Sequence, residues 1–157
     1  MVDIFFIILD AAMIVAGGYF LYWQNKIDVR GGYALFQVFF AGILAALLVE
    51  SGTTSIAYIV FAAAFITLVI MAGNSGLTPT KVIATGIFSR VIPYTKLSAI
   101  TLTPLDLPNG KQMVVAIFNL NPRRFVRMTF RIDLASLIAI LRPSVPENIQ
   151  IAVEHVQ

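Results

Sequence analysis

Four arginines within nine residues, Arg123, Arg124, Arg127 and Arg131, are the densest group of chemistry-bearing side chains in this sequence. A guanidinium stays charged at physiological pH and offers five N–H donors in a planar fork, so the group suits carboxylates and phosphates rather than proton transfer. Catalytic groups are scarce around it. His155 is the only histidine, it stands in the terminal tail, and it reads as a solvated side chain. There is no cysteine to act as nucleophile, redox group or metal ligand. Asp106, Asp133, Glu147 and Glu154 are scattered over turns, a helix cap and the tail, with no metal-binding spacing. No phosphate-cradling glycine loop or hydrolase triad can be assembled. The expectation is a non-enzymatic protein with no catalytic residues, no metal and no cofactor.

The arginines need an element to position them, and the stretch Phe125 to Ile132 supplies a period-two pattern. Val126, Met128, Phe130 and Ile132 fall on one face, while Phe125, Arg127, Thr129 and Arg131 fall on the other. Asn121-Pro122-Arg123-Arg124 reads as the turn of an antiparallel hairpin whose first arm is Gln112 to Leu120. Earlier, Lys81 to Thr85, Gly86 and Ile87-Phe88 read as strand, tight turn and strand. Pro93 to Lys96 is punctuation, Leu97 to Leu102 alternates as a strand, and Pro104 to Gly110 is a polar turn. Asp133 can cap a helix with Leu134, Leu137, Ile138 and Leu141 on one face, stopped at Pro143. A last short strand, 149–153, has no evident pairing partner. These elements make residues 81–157 a small α+β domain, an antiparallel sheet covered by one helix.

The first 72 residues have a different character. The whole chain is 59% hydrophobic with mean hydropathy +0.87 and only 12% charged, which excludes an ordinary soluble domain. Three apolar stretches, 4–23, 33–49 and 56–72, are expected to be transmembrane helices, with 73–80 as a hinge to the domain. Asp3 precedes the first stretch where a signal peptide would carry Lys or Arg, so it reads as a span rather than a leader. Tyr19, Tyr22 and Trp23 crowd its end, as aromatic rings do at the headgroup level. Small residues recur four apart at Ala12 and Ala16, Met13 and Gly17, Ala41 and Ala45, and Gly42 and Ala46, a spacing that lets helix backbones approach. Asp10 and Gln37 are the polar exceptions inside the spans, and intramembrane polar groups are functional candidates by default.

Orientation follows from the positive charges. Lys26 and Arg30 lie between the first two spans, and the other nine Lys and Arg follow the third. Three crossings put these segments on one side, so the N-terminus is expected outside and the domain in the cytoplasm. From Gly73 onward nine cations face four acids. That excess reads either as a solvated strand face or as a surface suited to anionic lipid headgroups or a protein. Nothing in the pattern forms a nucleic-acid-binding module.

The strand before Thr85-Gly86-Ile87-Phe88, the stretch Ile92-Pro93-Tyr94-Thr95-Lys96-Leu97, the hairpin and the C-terminal amphipathic helix together resemble bacterial pleckstrin-homology-like domains on small membrane anchors. With three spans ahead, the chain resembles the YobD-like family of uncharacterised bacterial membrane proteins. The resemblance implies a curved sheet or partial barrel capped by a helix, a multi-pass protein of the bacterial inner membrane, and no known activity. It also implies a partner among mannose-type sugar phosphotransferase transporters. The chain departs from that pattern in showing five readable strands instead of seven, and in carrying a strand after the helix.

The function expected is therefore a membrane-anchored adaptor. Arg123, Arg124, Arg127 and Arg131 would dock it on an integral membrane protein or anionic lipid, and homo-oligomers are allowed. The alternative is a small transporter or channel subunit with Asp10 and Gln37 lining a polar path.

Overall fold

A computed structural model describes residues 2–52, 55–86, 90–121 and 124–154 of the chain. The protein is α+β and divides into two units. One contains three apolar helices. The other contains residues 27–32, 75–84 and everything described from 90 onward.

The helical unit consists of α1 (Val2–Gln24), α2 (Leu35–Glu50) and α3 (Ile56–Met71). None has a proline in it, and all are apolar around their circumference, so no single stripe is forced inward. The other two helices pack on α3. From α1, Phe6 sets its ring 5.3 Å from Phe61 and 5.4 Å from Tyr58, and Gly17 comes close to Leu68. Ala41 is the buried residue of α2. Of the small residues, Gly17 and Ala41 thus serve helix packing, whereas Gly42 meets open space.

Both ends of α3 are tied. At its start, the Tyr58 hydroxyl shares a 2.7 Å hydrogen bond with the Ser51 hydroxyl and donates to the Leu48 carbonyl. At and just past its end, four carbonyls accept from groups outside the helix. Ile70 accepts from the Tyr33 hydroxyl, Met71 from Gln24 Nε2, Ala72 from the Gly86 amide and Gly73 from the Ala34 amide. These four bonds pair backbone carbonyls where α3 ends in apolar surroundings.

Of the three helices, only α1 is both long and apolar enough to cross a bilayer. The expected spans at 33–49 and 56–72 form helices of 16 residues each, ~24 Å long against ~30 Å of hydrocarbon. Three membrane spans therefore do not follow from helix length.

The second unit holds two four-stranded sheets. The first has the order β1 (Val29–Arg30), β2 (Gly76–Leu77), β3 (Lys81–Ala84), β4 (Arg90–Pro93), all antiparallel. A short 3-10 turn, Tyr94–Lys96, follows. The second sheet has the order β7 (Arg124–Phe130), β6 (Gln112–Asn121), β5 (Ala99–Asp106), β8 (Gln150–Val153). α4 (Leu134–Ser144) precedes β8.

Several expectations are corrected. Strands β1 and β2 were not anticipated, and β1 comes from the connection between α1 and α2. The hairpin from Lys81 is present, but its second arm is β4, and 87–89 lie outside the described residues. The expected polar turn from Pro104 shortens, because β5 continues to Asp106. Pro104 is tolerated because Leu102 accepts from Glu154 on the β8 side and alternation points Pro104 the same way, past the end of β8, where no donor is needed. The turn itself runs from Leu107 to Lys111 and places Gly110 at φ +74°, a conformation open to glycine. The strand after the helix is β8, and it pairs with β5 in parallel, so the sheet is not wholly antiparallel.

One apolar cluster holds this unit together. Ile100 and Leu102 of β5, Val114, Ala116 and Phe118 of β6, and Met128 and Phe130 of β7 point into it, and Leu137 and Leu141 of α4 enter it as well. Val82 and Ile92 join it from the first sheet.

Candidate functional site

β7 is an edge strand, and its two faces divide as the period-two pattern requires. Met128 and Phe130 are buried and Val126 and Ile132 half-buried, while Phe125, Arg127 and Arg131 are exposed. The register sets Arg127 opposite Ile117 and Phe125 opposite Asn119. A shift in register near Asn121 precedes Arg124, which is exposed. Arg123 lies outside the described residues.

The three described arginines sit in different surroundings. Arg124 borders a groove of about 350 Å³ with Lys96, Phe125, Leu120 and the β4 residues Val91, Ile92 and Pro93. Arg127 stands on the open face of the sheet. Arg131 borders a cavity of about 560 Å³ with Lys111, Gln112, Asp133 and Ser136. Among the described residues none of these cations has an ion pair. From Arg124 to Arg131 the strand path covers ~23 Å at 3.3 Å per residue. They are spread along the strand and do not converge on one phosphate.

The Asp133 carboxylate accepts from the Ser136 amide at 2.9 Å and caps α4. That bond holds its carboxyl below the usual range and keeps it ionised beside Arg131. The α4 N-terminus is thereby already supplied with a negative charge. Lys96 and Lys111 were not among the residues expected at the site. Each is a single lysine in a turn, brought beside the strand by the hairpins.

Tyr94 fixes the wall of the groove from behind. Its buried hydroxyl donates to the Thr78 carbonyl at 3.0 Å, and the Thr78 hydroxyl in turn bonds both backbone groups of Lys81. Burial, with a smaller contribution from Asp28, pushes the Tyr94 hydroxyl well above its ordinary pKa.

The polar candidates within the apolar helices do not meet. Asp10 Oδ1 and Gln37 Oε1 are each buried with no hydrogen-bond partner among the described residues. Gln37 lies within a turn of Ala34, which is bonded to Gly73, whereas Asp10 is ~21 Å along α1 from Gln24, which is bonded to Met71. The two are several turns apart along the helices.

No known protein family, curated protein or solved structure matches this chain.

Proposed function

We propose that this protein is a non-enzymatic adaptor held in the bacterial cell membrane by α1, α2 and α3. Its sheet unit lies in the cytoplasm and docks through β7 on anionic groups of a membrane-protein partner or of lipid. The observation that carries the binding role is the set of Arg124, Arg127 and Arg131 along β7, exposed and without ion pairs among the described residues, with Arg127 and Arg131 on the face turned away from the core.

The anchor reading is supported by the outward-facing apolar side chains of all three helices. Ile14, Val15, Leu35, Phe36, Val49 and Ile56 are each more than two-thirds exposed. A surface of that kind is matched to lipid. α2 and α3 form a hairpin whose ends are joined by the Ala34–Gly73 bond, and β1 and β2 pair just beyond them. The reading takes three crossings, the N-terminus outside, and 27–32 on the same side as the sheets. Local thinning of the bilayer and snorkelling of flanking residues accommodate the two short helices. The reading also agrees with what the resemblance to membrane-anchored pleckstrin-homology-like proteins implies.

The test uses the full chain in zwitterionic nanodiscs. Added vesicles containing phosphatidylglycerol should bind it, and Arg127→Gln with Arg131→Gln should weaken binding by ~2 kcal/mol at low salt. The difference should fade at high salt. Crosslinking in native membranes should give a partner that the same double variant loses. If the double variant changes neither vesicle binding nor crosslinking, these arginines are not the docking surface.

A further inference from the structure

The groove beside Arg124 lies between two strand edges that have no neighbouring strand among the described residues. β4 ends the first sheet and β7 ends the second. The Thr129 carbonyl points away from β6, because it accepts from the Gly32 amide. Alternate residues of a strand share that direction, so the N–H and C=O groups of Phe125 and Arg127 also point to the free edge. Neither residue has a backbone partner there among the described residues.

On the facing wall the Tyr94 amide bonds Thr80, across β3. The same alternation turns Val91 and Pro93 toward the groove. Pro93 brings no N–H, so β4 is the blunted edge and β7 the one that can accept a further strand.

Its lining is apolar apart from the two cations. Val91, Ile92, Leu120 and Val126 form the floor, Phe125 stands 66% exposed at the rim, and Lys96 and Arg124 flank it with no carboxylate among the lining residues. We infer that this groove takes an extended segment of a partner protein in which aliphatic and acidic residues alternate. The segment adds to the β7 edge by backbone hydrogen bonds to Phe125 and Arg127. Its aliphatic side chains enter the groove and its carboxylates meet Lys96 and Arg124. A strand is favoured over a lipid headgroup because a headgroup would use the cations and leave the aligned backbone groups and apolar floor unused. The inference rests on the adaptor reading and specifies its partner.

The probe is a fluorescent peptide of alternating valine and glutamate, titrated against the full chain in zwitterionic nanodiscs and followed by anisotropy. Saturable binding is expected. Lys96→Gln with Arg124→Gln should weaken it about tenfold without changing thermal unfolding, since both side chains are exposed. N-methylating alternate amides of the peptide, which keeps every charge, should weaken it by at least about as much. Absence of binding, or equal binding by the N-methylated peptide or by the double variant, overturns the inference. The vesicle titration on the same nanodiscs separates the two readings. Vesicle binding without peptide binding overturns the groove alone, and loss of both overturns the adaptor as well.

Discussion

The amide of Gly32 donates to the carbonyl of Thr129 at 2.6 Å, joining the segment between α1 and α2 to the edge of β7 across most of the chain. With β1 paired to β2, this bond makes residues 27–32 part of the sheet unit. A fragment that begins at Gly76 omits a strand of its own domain. Such a fragment should unfold at a lower temperature than the same unit with residues 27–32 restored through a linker. Equal melting of the two would show that β1 contributes nothing.

Gly76 is where β1 and β2 come closest. A Cβ there would collide with the Ile27 side chain and sit 2.6 Å from the Val29 carbonyl oxygen, which is backbone and cannot swing away. Gly76→Ala should cost ~1–3 kcal/mol. Gly42→Ala, in open space on α2, should be neutral or stabilising by up to ~1 kcal/mol. Thermal unfolding of the full chain in detergent compares the two.

Phe130 and Phe125 stand on the same strand with opposite fates. Phe130 is fully buried and Phe125 is 66% exposed. Phe130→Ala should destabilise by ~3–5 kcal/mol, and Phe125→Ala should stay within ~0.5 kcal/mol. Denaturant titration of both variants reads the difference, and a reversed order would mean that the faces of β7 are exchanged.

Tyr94 should make the protein sensitive to alkali. Its folded pKa lies above the ordinary value of 10.0, so between the two values the unfolded chain has released the proton that the folded chain keeps. Fewer protons bound in the unfolded state means that stability falls as pH rises there, whereas the full contribution is present below pH 10. Unfolding followed from pH 8 to 11 should show a steeper loss in the wild type than in Tyr94→Phe. The variant should also lose ~1 kcal/mol at neutral pH with the bond to Thr78.

The absence of cysteine makes orientation measurable. In intact cells an impermeant maleimide should label Ser51→Cys, in the turn after α2, and should reach Thr95→Cys only after permeabilisation. The opposite pattern would place the sheets outside and remove the cytoplasmic reading.

What the sequence determined by itself was whatever depends on local periodicity. The faces of β7 follow from strict alternation over Phe125 to Ile132, α4 from apolar residues at helical spacing behind the Asp133 cap, and α1 to α3 from long apolar runs. In each case the burial or spacing that forms the element is encoded within a few residues of it. The tertiary structure decided what depends on residues distant in sequence. β1 and β2 are two residues long, too short to carry a period, and exist because Val29 and Leu77 meet in register. The parallel pairing of β8 with β5 is set by the path of α4, which returns the chain beside β5. Lys96 joins Arg124 only through the arrangement of two sheet edges. Asp10 and Gln37 are both polar interruptions of apolar runs, and only the pairing of helix ends shows that they sit at different levels.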